Sequence, residues 1–401
     1  MNLQTLIDKN GRPDVLIDHF SDSSNKGLAI WGISDFLIFD HNGIKNKNNI
    51  YIDKNPLQYL DKTINDWKND SKDIAAVGYI SYDIKNYLYP HITFKHTDSQ
   101  MPYLYFIKPE QTAYYNIDSL LEFDISPCMH LKQDILDIDS YKNNIDAIKN
   151  ELLEGNTYQV NFTMEKIYSL EINPFDLYLM IRKISKPEFG FYFNMDKKNI
   201  LSFSPEQFFY THSNIIKSYP MKGTRKRDCN QLQDAKLKKE LFNSTKDRSE
   251  HLMIVDLLRN DLGKISNYGS IKVNDLFNVK SYNTVHQMVS EISGKMVDNI
   301  KLSNIIRSLF PGGSITGAPK ESTMKIIDRL ENYNRGIYTG SIGYIKKNGD
   351  MNFNIAIRTM YIDKNLAYYP VGGGIVWDSN YIDEWNEAQL KSKILEQCII
   401  S

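Results

Sequence analysis

Phe208-Phe209-Tyr210-Thr211-His212-Ser213-Asn214-Ile215-Ile216-Lys217-Ser218-Tyr219 holds the key to the fold. Aromatic and β-branched residues flank a Ser-Asn pair, the pattern of two short strands joined by a tight turn. Ile200 to Ser204, just upstream, reads as another strand. Consecutive strands that meet through turns, without an intervening helix, point to an antiparallel α+β protein.

The pattern continues on both sides. Ala29 to Ile33, Phe36 to Phe39 and Ala76 to Tyr82 read as strands, with a turn at His41-Asn42-Gly43. The acidic stretch Ile135 to Ser140 marks a boundary between 1–135 and 136–401. Tyr141, Ile145, Ile148 and Leu152 then fall on one face of a helix, with Ser140 as its expected N-cap and Gly155 as its left-handed terminator. Tyr158 to Met164 reads as a strand. Polar helices are expected over Asp228 to Asn243 and Asp247 to Asn260. Gly340 to Ile345 and Phe353 to Tyr361 read as a hairpin around Asn348-Gly349, Leu366 to Val371 as a strand, and Tyr381 to Cys398 as a closing helix.

Composition narrows the class. The chain has 401 residues, 41% hydrophobic and 24% charged, an ordinary globular balance. A formal net charge of -1 excludes a bulk electrostatic footprint for nucleic acid. No apolar window is long enough to span a membrane, and the N-terminus lacks a basic-then-apolar signal pattern. The three cysteines, Cys128, Cys229 and Cys398, are too few and scattered for a disulfide framework or zinc site, which fits a cytoplasmic location.

Five stretches could carry chemistry. Glu384, Glu387 and Lys391 lie three and four apart on one helix face. They could hold a hydrated cation and a substrate carboxylate, or form a solvated salt-bridged face. Lys246 to Asp261 places Glu250 in a first helical turn, usable by a metal or simply a charged helix start. Pro311 to Lys320 has three glycines before a proline suited to a first helical position; its amides could bind an anion, or the loop is only a tight turn. It fails as a nucleotide loop because Ala318 follows Gly317. Gly372-Gly373-Gly374 permits close ligand approach, or marks a bulge. Lys222, beside Gly223, could be a cleft nucleophile or a surface lysine.

Taken together and in this order, the stretches resemble the chorismate-utilising enzymes: the large subunits of anthranilate and aminodeoxychorismate synthases, with the isochorismate and salicylate synthases. The resemblance runs most strongly from about Ser140 to Lys393. It is carried by Gly155-Asn156-Thr157-Tyr158-Gln159-Val160-Asn161, Ser204-Pro205-Glu206, Lys222-Gly223-Thr224-Arg225, Asp247 to Asp261, Pro311 to Lys320, Ile355-Ala356-Ile357-Arg358, and Gly372 to Asp378 with Glu384, Glu387 and Lys391. It implies one α+β body with two large antiparallel β-sheets packed together and helices outside. In that body 1–135 is an N-terminal part and 136–401 the chorismate-binding catalytic region.

The resemblance also implies roles. Glu250 and Glu387 fall at Mg²⁺-ligand positions, with Glu384 close by. Arg358 falls at a carboxylate clamp, and Tyr344, Thr224, Lys391 and the Gly372, Gly373 and Gly374 backbone at substrate contacts. His286 matches a histidine near the ring hydroxyl, although a structural role is an equal reading. Gln159 stands where the water-using members carry a water-activating lysine, as in the ammonia users. Lys222 stands where anthranilate synthases typically carry alanine, which resembles many aminodeoxychorismate synthases. In that branch the lysine attacks C2 of chorismate and ammonia then displaces it at C4, with Glu206 as general acid. No Gly-x-Cys-x-Gly glutaminase motif occurs, so ammonia is expected from solution or from a separate glutamine amidotransferase subunit. The rival expectations are an anthranilate synthase component I and a non-catalytic regulatory paralogue.

Overall fold

The computed structural model describes residues 1–18, 25–48, 50–51, 55–95, 101–118, 126–134, 137–282 and 285–400. The hairpin forms as expected. Gln207–His212 pairs antiparallel with Ile215–Ser218, and Ser213 and Asn214 both take positive φ, 50° and 65°. That is the turn geometry whose twist matches the strands.

Every strand ladder among the described residues is antiparallel. The pairings trace one ribbon with two halves. One half runs Met129–Gln133, Gln159–Leu170, Leu366–Ile375, Thr359–Asp363, Lys198–Ser204, Phe189–Met195. The other runs Lys26–Asp40, Leu104–Asn116, Ile74–Ile80, Ser341–Lys346, Met351–Asn354, Gln207–His212, Ile215–Ser218, Val285–Lys295. Lys272–Ser281 and Met221–Lys226 both pair with Val285–Lys295. Val15–Ile17 joins the halves, with Val15 opposite both Phe193 and Ile30. The two expected sheets are therefore halves of one hydrogen-bonded network.

Apolar packing explains the layering. Val15, Ile30, Val77, Tyr79, Phe193 and Ile342 fill the space between the halves. Helices Ile138–Leu153, Pro174–Ser185 and Tyr381–Lys391 cover the outer face of the first half through Tyr141, Ile145, Leu177, Ile181 and Ala388. Helices Pro56–Asp70, Thr245–Gly263 and Leu302–Leu309 cover the second through Leu60, Ile254, Leu258 and Ile305. Strands from 1–135 sit inside this assembly: Val15–Ile17 pairs with Phe189–Met195, and Ile74–Ile80 with Ser341–Lys346. Of the expected boundary, residues 135 and 136 lie outside the described residues.

Several local expectations are corrected. Asp137, not Ser140, caps Ile138–Leu153: its Oδ1 accepts the amides of Asp139 and Ser140 at 3.1 and 2.9 Å. Gly155 does follow the helix at φ 74°. The helix expected from Asp228 starts at Gln231, behind an Asn230 cap. The closing helix stops at Lys391, and Lys393–Cys398 is a 3₁₀ turn. Gly372 to Gly374 form no bulge; they stay in register opposite Thr163, Phe162 and Asn161. The strand read from Phe353 to Tyr361 is broken into Met351–Asn354 and Thr359–Asp363, which pair with different halves.

Candidate active site

Two chain crossings between the sheet halves lie side by side. One is Pro205-Glu206, between Lys198–Ser204 and Gln207–His212; the other is 355–358. The Ser204 hydroxyl donates to the Ile355 carbonyl at 2.6 Å and accepts the Glu206 amide at 3.1 Å. The Ile355 amide donates to the Glu206 carbonyl at 3.0 Å, and the Phe203 amide to the Arg358 carbonyl at 3.0 Å. Arg358 is held at φ 50°, a costly conformation for a side chain of its size. Beside the crossings opens a cavity of about 250 Å³.

Its wall brings together Glu206, Lys222, Thr224, Arg358, Gly372, Gly373, Gly374, Glu387 and Lys391, all read from the sequence. Lys222 and Thr224 sit on Met221–Lys226, where Gly223 at φ 75° interrupts the register. Such a bulge re-aims the neighbouring side chains. A Cβ on Gly374 would stand 2.8 Å from Lys222 Nζ and 3.2 Å from Gln159 Nε2. A side chain at position 374 would therefore crowd the ends of both. Gln159 is completely buried, and neither its amide nitrogen nor its amide oxygen has a protein partner. Lys222 and Arg358 likewise make no hydrogen bond or ion pair to a protein side chain among the described residues. Burial pushes the Glu206 carboxyl up to about 7, against the opposing pull of Lys222.

A second cluster adjoins it. Lys391 Nζ bonds Glu387 Oε1 at 2.8 Å and donates to the Gly372 carbonyl at 2.6 Å. A Cβ on Gly373 would lie 3.4 Å from Lys391 Nζ, 3.5 Å from Glu384 Oε2 and 3.7 Å from Glu387 Oε1. Glu250, on helix Thr245–Gly263, lies near enough to interact electrostatically with Glu387 and Lys222. Burial raises its carboxyl; Lys222 and Lys246 oppose the rise, and Asp247 and Glu387 add to it. Burial also raises Glu384, with Glu387 contributing. Burial acts upward on Glu387 too, but Lys391 outweighs it and holds the carboxyl below its usual range. These hard oxygen donors suit a cation that retains several waters. Among the described residues no three His, Cys, Asp or Glu side chains form a metal cage by themselves.

His286 and Tyr344 lie away from the cavity wall, and of the two readings of His286 its contacts match the structural one. His286 is 1% exposed; its Nδ1 pairs with Ser281 Oγ and its Nε2 with Asp234 Oδ1, each at 2.9 Å. Its neighbours Val285 and Gln287 line the cavity, so strand alternation turns His286 to the other face. Tyr344 lies in the core between the sheet halves, within 3.5 Å of Asn352 Nδ2. In its place Tyr338 and Tyr369 line the cavity, with Asn161, Ser314 and Ile315. None of these five was given a role of its own from the sequence; Asn161, Ser314 and Ile315 lie within stretches that carry the resemblance, and Tyr338 and Tyr369 lie outside them.

The Pro311–Lys320 loop forms part of the wall through Ser314 and Ile315. A Cβ on Gly317 would come within 1.9 Å of the Gln159 carbonyl. Lys320 Nζ is bound to Asp261 Oδ2 at 2.9 Å and the Leu309 carbonyl at 3.2 Å. Pro319 is the N-cap of Lys320–Leu330, not its first residue. A larger cleft, about 810 Å³, lies beside helix Pro56–Asp70 and shares no residue with this wall.

The profile of the chorismate binding enzyme family matches residues 128–397. The chain belongs to this family. As a chorismate-binding enzyme it is 36% identical over 338 residues to anthranilate synthase component 1 of Saccharolobus solfataricus, covering 81% of this chain and 80% of the relative. It is 31% identical over 360 residues to aminodeoxychorismate synthase component 1 of Bacillus subtilis, covering 81% of this chain and 77% of the relative. The crystal structure of anthranilate synthase component I from Streptococcus pneumoniae superposes with a TM-score of 0.82 at 22% identity, over 93% of this chain and 92% of that one. That likeness establishes the α+β fold. No helix among the described residues is long and apolar enough to cross a membrane.

Proposed function

We propose that the protein is the chorismate-aminating component of an aminodeoxychorismate synthase, replacing the C4 hydroxyl of chorismate with an amino group and retaining the enolpyruvyl ether. The observation that carries this reading is the Lys222 amine, which stands over Gly374 beside Glu206 and, among the described residues, makes no hydrogen bond or close ion pair.

Arg358 and Lys391 offer cations to substrate carboxylates, Arg358 through a fork that fits one bidentately. Glu206, with its carboxyl near 7, is substantially protonated at neutral pH and can give its proton to the departing C4 hydroxyl. As water leaves, the Lys222 amine bonds to C2, both ring double bonds shift by one position toward C4, and the nitrogen releases a proton. Ammonia then attacks C4, both double bonds shift back, and Lys222 leaves with its electron pair and takes up the proton that the new C4 amine sheds. The Gln159 amide lies within reach of the arriving ammonia, and Thr224 presents a hydroxyl to the substrate. Glu250 and Glu387, with Glu384, would hold a Mg²⁺ whose charge offsets that of the ring carboxylate. Both curated relatives are named component 1, which supports a separate amidotransferase component as the ammonia source.

The second reading is anthranilate synthase component I, favoured by the 36% identity to the Saccharolobus solfataricus relative. Incubation with chorismate, Mg²⁺ and ammonium, with product identification by mass, separates them. A product that keeps the enolpyruvyl group and yields 4-aminobenzoate on addition of the lyase is expected. Fluorescent anthranilate with released pyruvate would overturn the assignment.

A further inference from the structure

Behind the cavity lies a charged pair to which neither the sequence motifs nor the proposed steps assign a role. Arg335 is the largest of the fully buried side chains, and Glu331 is 4% exposed. Arg335 Nε and Nη2 bond Glu331 Oε2 and Oε1 at 2.8 and 2.6 Å, a two-pronged pairing. The remaining donors reach outward. Nη2 donates to the Asn161 carbonyl at 2.6 Å, and Nη1 to the Ile315 carbonyl at 2.9 Å and Thr339 Oγ1 at 3.3 Å. Glu331 Oε1 also accepts the Thr163 amide and hydroxyl at 2.9 and 2.8 Å.

Asn161 and Ile315 are cavity-wall residues from separate parts of the chain. Asn161 lies opposite Gly374 on the strand that carries Gln159. Ile315 lies on the Pro311–Lys320 loop next to Ser314, another wall residue. One guanidinium therefore spans two wall segments through their carbonyls, and a carboxylate fixes that guanidinium in place. Lysine could keep the charge but not the planar fork that serves two carbonyls and a carboxylate together.

We propose that Arg335 is a positioning residue for the reaction, setting the spacing between the Gln159–Asn161 strand and the Ser314–Ile315 loop so that substrate and Lys222 meet in register. This rests on the chorismate site described above. A misplacement on the ångström scale can cost about 10²-fold in rate.

The test compares wild type with Arg335→Lys and with the gentler Thr163→Val, which removes only one hydroxyl from the cluster. Steady-state kinetics on chorismate and amide hydrogen exchange are measured for each. The expected result for Arg335→Lys is a kcat at least tenfold lower, a smaller change in KM, and faster exchange confined to 159–163 and 312–318. Thr163→Val should move kcat in the same direction by a few-fold while remaining fully folded. If Arg335→Ala folds, added guanidinium ion should restore part of its kcat, an effect that general destabilisation would not produce. Unchanged kcat with loosened wall segments would overturn the inference, as would uniform loosening of the whole molecule. A wild type that fails to consume chorismate would instead count against the site reading itself, and the exchange data would still report whether the clamp exists.

Discussion

At Thr163 the strand Gln159–Leu170 meets Glu331 and Arg335, where every guanidinium nitrogen and both carboxylate oxygens have protein partners. At Gln159, four residues earlier, a buried amide has none among the described residues, and Lys222 beside it makes no hydrogen bond or ion pair to any of them. Buried polar groups are nearly always satisfied, so the exceptions call for an explanation. The closed cluster spends its hydrogen bonds on holding the backbone. The open one leaves the Gln159 amide unsatisfied beside Gly374 and the Lys222 amine on the cavity wall, where a ligand could complete them. The molecule thus separates positioning from chemistry along a single strand.

Mutating one member of each cluster should split activity from stability. Lys222→Ala is expected to lower C4 amination by roughly 10³-fold or more, while stability in chemical denaturation stays within about 0.5 kcal/mol. Glu331→Ala leaves the Arg335 charge buried without its partner and should cost about 3–5 kcal/mol. Equal destabilisation by both would erase the contrast.

Glu206→Gln sharpens it further. Activity should fall by about 10²–10⁴-fold, the usual range for a lost general acid. Because burial raises the Glu206 carboxyl to about 7, the folded state loses stability as pH rises from the ordinary glutamate range through 7. Gln escapes that loss. The variant should match wild type near pH 5 and exceed it at pH 8, by at most about 3 kcal/mol. Wild-type kcat/KM should decline above pH 7 as the acid ionises. A stability advantage over wild type that is no larger at pH 8 than at pH 5 would contradict the burial argument.

Glu387→Gln should weaken the apparent affinity for Mg²⁺ by about 10–100-fold, with partial recovery of rate at high Mg²⁺ in a titration. The smallest catalytic effect is expected for His286→Gln. Its ring is held by Ser281 and Asp234, so turnover should change by less than about twofold while stability falls by about 1–2 kcal/mol.

Local patterns made much of this legible. The Ser213-Asn214 turn, the Gly155 terminator and the antiparallel class follow from short-range chemistry, and the structure shows them. Most of the cavity residues carried motif signals. What escaped depends on long-range pairing. Phe353 to Tyr361 reads as one strand, yet its two ends pair with different halves, and the break between them presents Arg358. His286 kept two readings because its motif position says nothing about which strand face it takes. Tyr344 was misplaced because the core between the halves is assembled from distant segments. Cys128 and Cys398 are far apart in sequence, yet the Cys128 amide donates to the Cys398 carbonyl at 2.8 Å. Arg335 and Glu331 escaped because their partners, Asn161 and Ile315, belong to other segments.

The central claim is that Lys222 is a nucleophile in an open site. The direct measurement is intact-mass analysis and peptide mapping after the protein meets chorismate and Mg²⁺ without ammonia. The expected result is an adduct with the mass of chorismate less one water, confined to the Lys222 peptide and discharged when ammonium is added. A Lys222→Ala protein that aminates C4 at the wild-type rate, or an adduct that maps to another residue, would contradict it.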